Sequence, residues 1–369
     1  MLLSGTDNHI AGVGIMSEQK GRNPEKYDAK GHEGFLNHDV AALSEILQDA
    51  GYHTLISGKW HLGFTPESNA AERGFDRSFT LLPGACNHYA YEPQFKDKDY
   101  TAFFQRVNPH MYTIDGKKYA VPPNRERHPE GFYSSDFYTD NLVDWLEERG
   151  DENRKKPFFA YLPFSAPHWP LQCSDADRDR YDGVYDDGPA ALRLRRLENM
   201  KKLGIIPEDV RPHEVVAGPM NIEWDEMNPY ERKCSARAMQ CFAGMVDNLD
   251  QNVGKIVQYL KRSGEYDNTV IVFQSDNGAE GADYEAIPTM GADLMRMVRK
   301  YYNNTFENIG HADSYTWYGT RWAQASTAPS RLFKMYSTEG GIKVPFSKFP
   351  TILSPSSVPT RKCSSLLLC

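Results

Sequence analysis

One pattern occurs three times in this chain and limits its fold more than any other feature. An amphipathic helix is closed by a glycine, and a short apolar run then ends in a polar cluster. In the first copy Val40, Leu43, Ile46, Leu47 and Ala50 share a helical face, Gly51 closes the helix, and Tyr52-His53-Thr54-Leu55-Ile56-Ser57 reads as a strand stopping at Gly58 before Lys59-Trp60-His61. The second copy predicts a helix over 138–149, closed by Gly150, then Phe158-Phe159-Ala160-Tyr161-Leu162-Pro163 and Ser165-Ala166-Pro167-His168. The third predicts a long helix over 236–262, closed by Ser263-Gly264, then Thr269-Val270-Ile271-Val272-Phe273 and Ser275-Asp276-Asn277-Gly278.

Near-continuous apolar strands alternating with helices imply an α/β fold with a mostly parallel central sheet covered by helices on both faces. Ligands bind such sheets beyond the carboxyl ends of the strands. The pattern therefore predicts that Lys59 with His61, His168, and Asp276 with Asn277 arrive at one rim. The stretches 88–135 and 173–232, rich in Pro, Asp, Arg and Tyr, read as long loops or insertions over that rim. The last twenty residues, including Cys363-Ser364-Ser365-Leu366-Leu367-Leu368-Cys369, read as a frayed tail.

Composition narrows the partners. With 42 Lys plus Arg against 50 Asp plus Glu the net charge is −8, the wrong sign for a general nucleic-acid or anionic-membrane binder. A small anionic substrate would need a local basic pocket. No apolar run approaches the length of a membrane span, and Met1-Leu2-Leu3-Ser4-Gly5-Thr6-Asp7 lacks the character of a signal peptide. The six cysteines show no CxxC spacing, so neither a disulfide framework nor a zinc site is suggested, and the default expectation is a reducing, cytoplasmic compartment.

Each polar cluster has a structural reading beside its chemical one. Asp276-Asn277-Gly278 is either a strand-to-loop turn or a carboxylate and amide carbonyl suited to a hard divalent cation. Lys59 and His61 are either solvated or directed at one anionic group, with Trp60 packed inward between them. His168, boxed by Pro167, Trp169 and Pro170, is either a packed, hydrogen-bonded ring or a stiffly held acid. Asp175, Asp177 and Asp179 imitate a calcium loop but lack its glycine, and read as a solvated acidic loop. Gly12 and Gly14 lack the third glycine and the preceding strand of a dinucleotide fingerprint.

Together these motifs resemble the sulfatases, of the bacterial and fungal arylsulfatase type within the alkaline-phosphatase-like superfamily. The resemblance runs in order through Gly51-Tyr52-x-Thr54, Gly58-Lys59-Trp60-His61-Leu62-Gly63, Arg73-Gly74-Phe75-Asp76, Ser165-Ala166-Pro167-His168, Ser275-Asp276-Asn277-Gly278-Ala279-Glu280-Gly281, Ser330-Arg331-Leu332-Phe333-Lys334 and Thr338-Glu339-Gly340-Gly341. It implies hydrolysis of a small-molecule sulfate ester by a formylglycine whose hydrated gem-diol attacks sulfur, assisted by calcium or, second, magnesium. Asp276 and Asn277 would be metal ligands. Lys59, His61 and Lys334 would bind sulfate and stabilise developing charge, and His168 would protonate the leaving alcohol.

The departures from the family pattern shape the expectations. No Cys-x-Pro-x-Arg occurs, Thr327-Ala328-Pro329-Ser330-Arg331 has threonine at the nucleophile position, and the family's Gly-Gly-x-Arg reads Gly340-Gly341-Ile342-Lys343. The resemblance therefore places the first strand, its paired aspartates and the formylglycine upstream of Met1, with a carboxyl-terminal subdomain also missing. Residues 1–346 are expected to form a partial catalytic domain, and 347–369 a divergent, disordered tail. Two rivals remain: phosphate or phosphonate ester hydrolysis on the same fold, and an inactive fragment or binder of sulfated ligands.

Overall fold

The computed structural model describes residues 1–96, 111–121, 131–218, 221–281, 291–349 and 365–369. They divide into two compact units. The first comprises Met1–Ser165, Leu249–Phe273 and Ser347–Cys369, and the second Ala166–Asn248 and Gln274–Phe346.

The first unit is built on an eight-stranded mixed sheet. In chain order its strands are β1 (His53–Lys59), β2 (Arg77–Leu81), β3 (Tyr112–Ile114), β4 (Lys117–Tyr119), β5 (Phe158–Tyr161), β6 (Thr269–Gln274), β7 (Phe346–Phe349) and β8 (Ser365–Leu368). Their order across the sheet is β4-β3-β2-β1-β5-β8-β6-β7. Strands β2, β1, β5, β8 and β6 pair in parallel, and the β3–β4 hairpin adds antiparallel to the β2 edge. The three repeat strands β1, β5 and β6 thus run in one direction and end on one side of the sheet, as the repeated pattern predicts.

Period-2 alternation along these strands feeds two separate cores. Leu55, Phe158, Ala160, Ile271 and Leu367 point into one, closed by Phe137, Tyr138, Leu142, Trp145 and Leu146 of the helix Ser134–Glu147 and by Ile256, Tyr259 and Leu260. Ile56, Phe159 and Leu368 point into the other, with Trp60 and Phe75 against them and Leu43 and Leu47 of the helix Leu43–Asp49 packed alongside. A sheet buried on both faces needs strands apolar at every position, which is why the repeat strands do not read as alternating in the sequence.

Several boundaries differ from expectation. The first helix spans Leu43–Asp49 rather than starting at Val40, and β1 continues through Gly58 to Lys59. Gly58 does not stop the strand. It allows β1 to approach the chain after β5, where a Cβ would stand 2.2 Å from the Pro163 carbonyl oxygen and where Lys59 N–H bonds that same oxygen at 2.7 Å.

The expectation of a disordered tail over 347–369 is corrected for residues 347–349, which continue the strand Phe346–Phe349, and for Ser365–Leu368. The latter is a central strand, pairing Leu366 with Phe159 and Leu367 with Ile271. A strand of four residues carries no periodicity to announce itself, and leucine favours helix as readily as strand. Residues 350–364 of the expected tail lie outside the described residues.

Within the stretches read as loops, the hairpin β3–β4 and the helix Gly188–Lys202 appear. The segment Asp175–Asp179 is a short helix capped by Ser174, whose hydroxyl accepts from Asp177 N–H. It is not a solvated loop: Asp177 and Arg178 are buried, and the Arg178 guanidinium pairs with Asp175 and Asp179. Among the described residues no helix is long and apolar enough to cross a membrane.

Candidate functional site

Lys59 and His61 belong to the first unit. Lys59 is the last residue of β1, and Trp60 turns inward as predicted, buried with its indole N–H donated to the Ser68 carbonyl at 3.0 Å. His61 adopts left-handed backbone, φ 52°, and its Nε2 lies 3.0 Å from both oxygens of Glu18. Its ring stacks on Phe64 with centroids 6.2 Å apart. One ring nitrogen is therefore committed to a buried carboxylate 43 residues away in sequence, and only Nδ1 remains for a ligand. Nothing in the local sequence signals Glu18, because the pairing is purely tertiary.

Burial alone would raise the Glu18 pKa, but the hydrogen bond and charge of His61 and the Gly84 N–H outweigh it, and the carboxyl sits below its ordinary value of 4.5. A depressed folded pKa contributes stability that is present above the unfolded value and lost as pH falls through the folded one. The denaturation midpoint of Glu18→Gln is thus expected to lie below that of the native chain at pH 6. The gap should close as the pH is lowered below 4.5. A gap that persists unchanged into acid would show that the pair does not stabilise the fold through the Glu18 charge.

In the second unit four of the sequence motifs meet. Gly278 N–H bonds the Gly341 carbonyl at 2.9 Å, Lys334 N–H bonds that of Ala279 at 3.0 Å, and Gly340 N–H bonds that of Arg331 at 2.9 Å. This seam brings 275–281, 330–334 and 338–341 together. The Lys334 ammonium then lies 3.0 Å from His168 Nε2 and 2.8 Å from Glu280 Oε2. Lys334 is flanked by Leu332 at φ 60° and Met335 at φ 81°. Left-handed backbone at non-glycine residues costs of order 1–3 kcal/mol each and persists only where surrounding contacts enforce it, which is typical of functional sites.

His168 is held as its proline-boxed sequence predicts. Its Nδ1 lies 3.0 Å from the Trp169 carbonyl oxygen. Beyond it, Gln172 donates to the carbonyls of His311, Ala312 and Ser314 and ties the chain down. A carbonyl only accepts, so Nδ1 carries the hydrogen and Nε2 offers its lone pair to Lys334. Glu280 is the member of the cluster that sequence reasoning left without a role. The signal was present, since it stands four residues after Asp276 in a motif already singled out.

Asp276 is exposed and Asn277 half-buried at the end of β6. Ser275 Oγ donates to the Asn277 carbonyl at 2.7 Å, and Asn277 Nδ2 donates to that of Gly278 at 2.9 Å, so the Asn277 Oδ1 is the atom left for a cation. Among the described residues no group of three or more His, Cys, Asp or Glu is placed to hold a metal. The pair fits a hard divalent ion in kind, supplying two oxygen donors of the roughly six such an ion takes. Two of the buried thiols, Cys86 and Cys369, are both pushed up to about 12 by burial and supply no thiolate nucleophile near neutral pH.

A mostly parallel sheet between two helical layers, with chemistry-bearing residues after its strands, defines an α/β protein of the kind that binds ligands at the strand ends. The crystal structure of Ps i-CgsB shares this fold with a TM-score of 0.55 at 23% identity, over 99% of this chain and 55% of that one. The sulfatase family model matches residues 1–346, and the chain belongs to the sulfatase family. It is 47% identical over 360 residues to an uncharacterized sulfatase of Schizosaccharomyces pombe, covering 97% of this chain and 62% of that protein. It is 34% identical over 355 residues to the arylsulfatase of Klebsiella aerogenes, covering 94% and 68%. The chain thus spans about two thirds of the length of these two relatives.

Proposed function

We propose that this chain carries the sulfate-binding and leaving-group side of a sulfuric ester hydrolase acting on small-molecule sulfate monoesters. The observation that carries this reading is the Lys334 ammonium, a positive charge set on His168 Nε2 by strained backbone in a protein of the sulfatase family. In the second unit Lys334 binds sulfate oxygens and stabilises the charge that develops as the ester bond breaks, and in the first unit Lys59 and the Nδ1 side of His61 are assigned the same kind of role. His168 protonates the departing alcohol oxygen.

Asp276 and Asn277 would hold calcium, with magnesium as the second choice, and such an ion supplies Lewis-acid polarisation of sulfate oxygens. The formylglycine nucleophile belongs to this reading as well. No Cys-x-Pro-x-Arg occurs in these 369 residues, and the Ser-x-Pro-x-Arg they contain, Ser357-Val358-Pro359-Thr360-Arg361, lies outside the described residues.

Calorimetric titration with inorganic sulfate, inorganic phosphate and calcium tests this reading. Sulfate is expected to bind, and Lys334→Ala to weaken it by about tenfold or more, the worth of a hydrogen bond to a charged group. Calcium is expected to bind weakly through two donors, and Asp276→Ala to abolish that binding. A preference for phosphate would favour the rival ester class. Sulfate affinity unmoved by Lys334→Ala, or tight calcium binding unmoved by Asp276→Ala, would place the ligands elsewhere.

A further inference from the structure

A histidine that protonates a leaving alcohol must carry its proton on a nitrogen free to give it up. In His168 the Nδ1–H is spent on the Trp169 carbonyl, which leaves Nε2 for that task. Yet Lys334, a donor without lone pairs, sits 3.0 Å from Nε2, so in this arrangement Nε2 is an acceptor and holds no proton. The acid is unloaded while Lys334 occupies that position.

Glu280 supplies the means of loading it. Its Oε2 holds Lys334 at 2.8 Å and lies 3.7 Å from His168 Nε2, too long for a hydrogen bond while the ammonium lies within reach of both. The Glu280 side chain is only 11% exposed, so its charge is weakly screened. The buried Tyr318 phenol also senses it. Burial first, and then the Glu280 charge, push that phenol well above its ordinary range, so Tyr318 stays neutral and adds no second negative charge. Should Lys334 move onto an anion, the nearest charge left to His168 Nε2 within this cluster is the Glu280 carboxylate, and an opposite charge at that range favours the protonated ring.

We propose that Glu280 is the positioning residue that loads His168 with its acid proton when an anion draws Lys334 away. The proton comes from solvent and binds the Nε2 lone pair, and no other bond forms or breaks. The positive charge on the ring replaces the one that Lys334 withdrew from the carboxylate. Loading is thereby tied to occupancy of the anion site, which keeps the acid silent until an ester is bound. This inference rests on the reading of Lys334 as an anion ligand and His168 as the acid.

The test reads proton occupancy rather than turnover. Lys334→Met leaves ring and carboxylate in place and imitates a lysine drawn off, and Lys334→Ala serves if the first variant does not fold. Nitrogen-15 NMR of the histidine-labelled chain at neutral pH is expected to show an unprotonated His168 Nε2 in the native chain. The same resonance should move to its protonated position in Lys334→Met. It should return in Lys334→Met/Glu280→Gln and stay protonated in Lys334→Met/Glu280→Asp, where the charge is kept.

An unprotonated Nε2 in the lysine variants, or a protonated one that ignores Glu280→Gln, overturns the inference. Inorganic sulfate added to the native chain separates the two readings. A shift of His168 towards the protonated position supports both. No shift at saturating sulfate, with the variants behaving as expected, upholds the Glu280 coupling and overturns the sulfate site instead.

Discussion

Replacing Arg73 by methionine is expected to cost the folded chain about 3–5 kcal/mol, the largest stability effect of any single side chain described above. The Arg73 guanidinium is completely buried, and every direction in which it can donate is used. Its Nη1 reaches the carbonyls of Leu36 and Asn37 at 2.6 and 2.9 Å, its Nη2 that of Val40 at 2.9 Å, and its Nε Glu45 Oε1 at 2.8 Å. Glu45 in turn accepts the Ala42 N–H at 2.7 Å, at the start of the helix Leu43–Asp49. One side chain thus satisfies three carbonyls of a segment without regular structure and fastens it to the first helix.

Methionine matches much of the volume but strands those carbonyls and leaves Glu45 without its partner. Chemical denaturation of Arg73→Met against the native chain reads the loss directly. A change under 1 kcal/mol would mean that water reaches these carbonyls when the guanidinium is gone. Arg73 lies in one of the motifs shared with the sulfatases, and the structure gives it a scaffolding role.

Gly278→Ala is expected to destroy the proposed anion site at Lys334 with a smaller change in global stability. A Cβ at this position would stand 1.7 Å from the Gly340 carbonyl oxygen, a separation no atoms can hold. The turn Asp276–Gly278 must then leave the Thr338–Gly341 segment and break the Gly278–Gly341 hydrogen bond. The same seam anchors Lys334 through Ala279, so a backbone shift there carries the ammonium away from His168. Overpacking of this kind costs about 1–3 kcal/mol or more.

Loss of measurable sulfate binding in calorimetry is the expected readout. Gly254 provides the contrast, because it lies within the helix Pro229–Ser263 and a Cβ there meets nothing within 4 Å. Gly254→Ala is expected to stabilise the chain by about 0.5–1 kcal/mol and to leave sulfate binding untouched. Equal behaviour of the two variants would show that the 275–281 and 338–341 seam does not govern the site.

Much of the architecture was legible in the residues. The three helix-strand repeats gave β1, β5 and β6 their places and direction, because a strand buried on both faces has to be apolar throughout and because parallel strands need helical crossovers. The inward turn of Trp60 and the stiff seating of His168 were legible for the same kind of local reason, alternation in one case and flanking prolines in the other.

Sequence alone determined the α/β class, the chain order of the motifs and the residue types able to bind an anion or a hard cation. These follow from local periodicity, turn chemistry and side-chain chemistry, all of which act over a few residues. Only the tertiary structure decided that Ser365–Leu368 is a central strand, that His61 spends one nitrogen on Glu18, that Arg73 is a buried scaffold, and that Glu280 joins Lys334 and His168 in one cluster. Each of these depends on partners tens to hundreds of residues apart, whose meeting is set by packing of the whole unit. No local pattern records such a meeting, because the energy that selects it is released only when the partners are brought together.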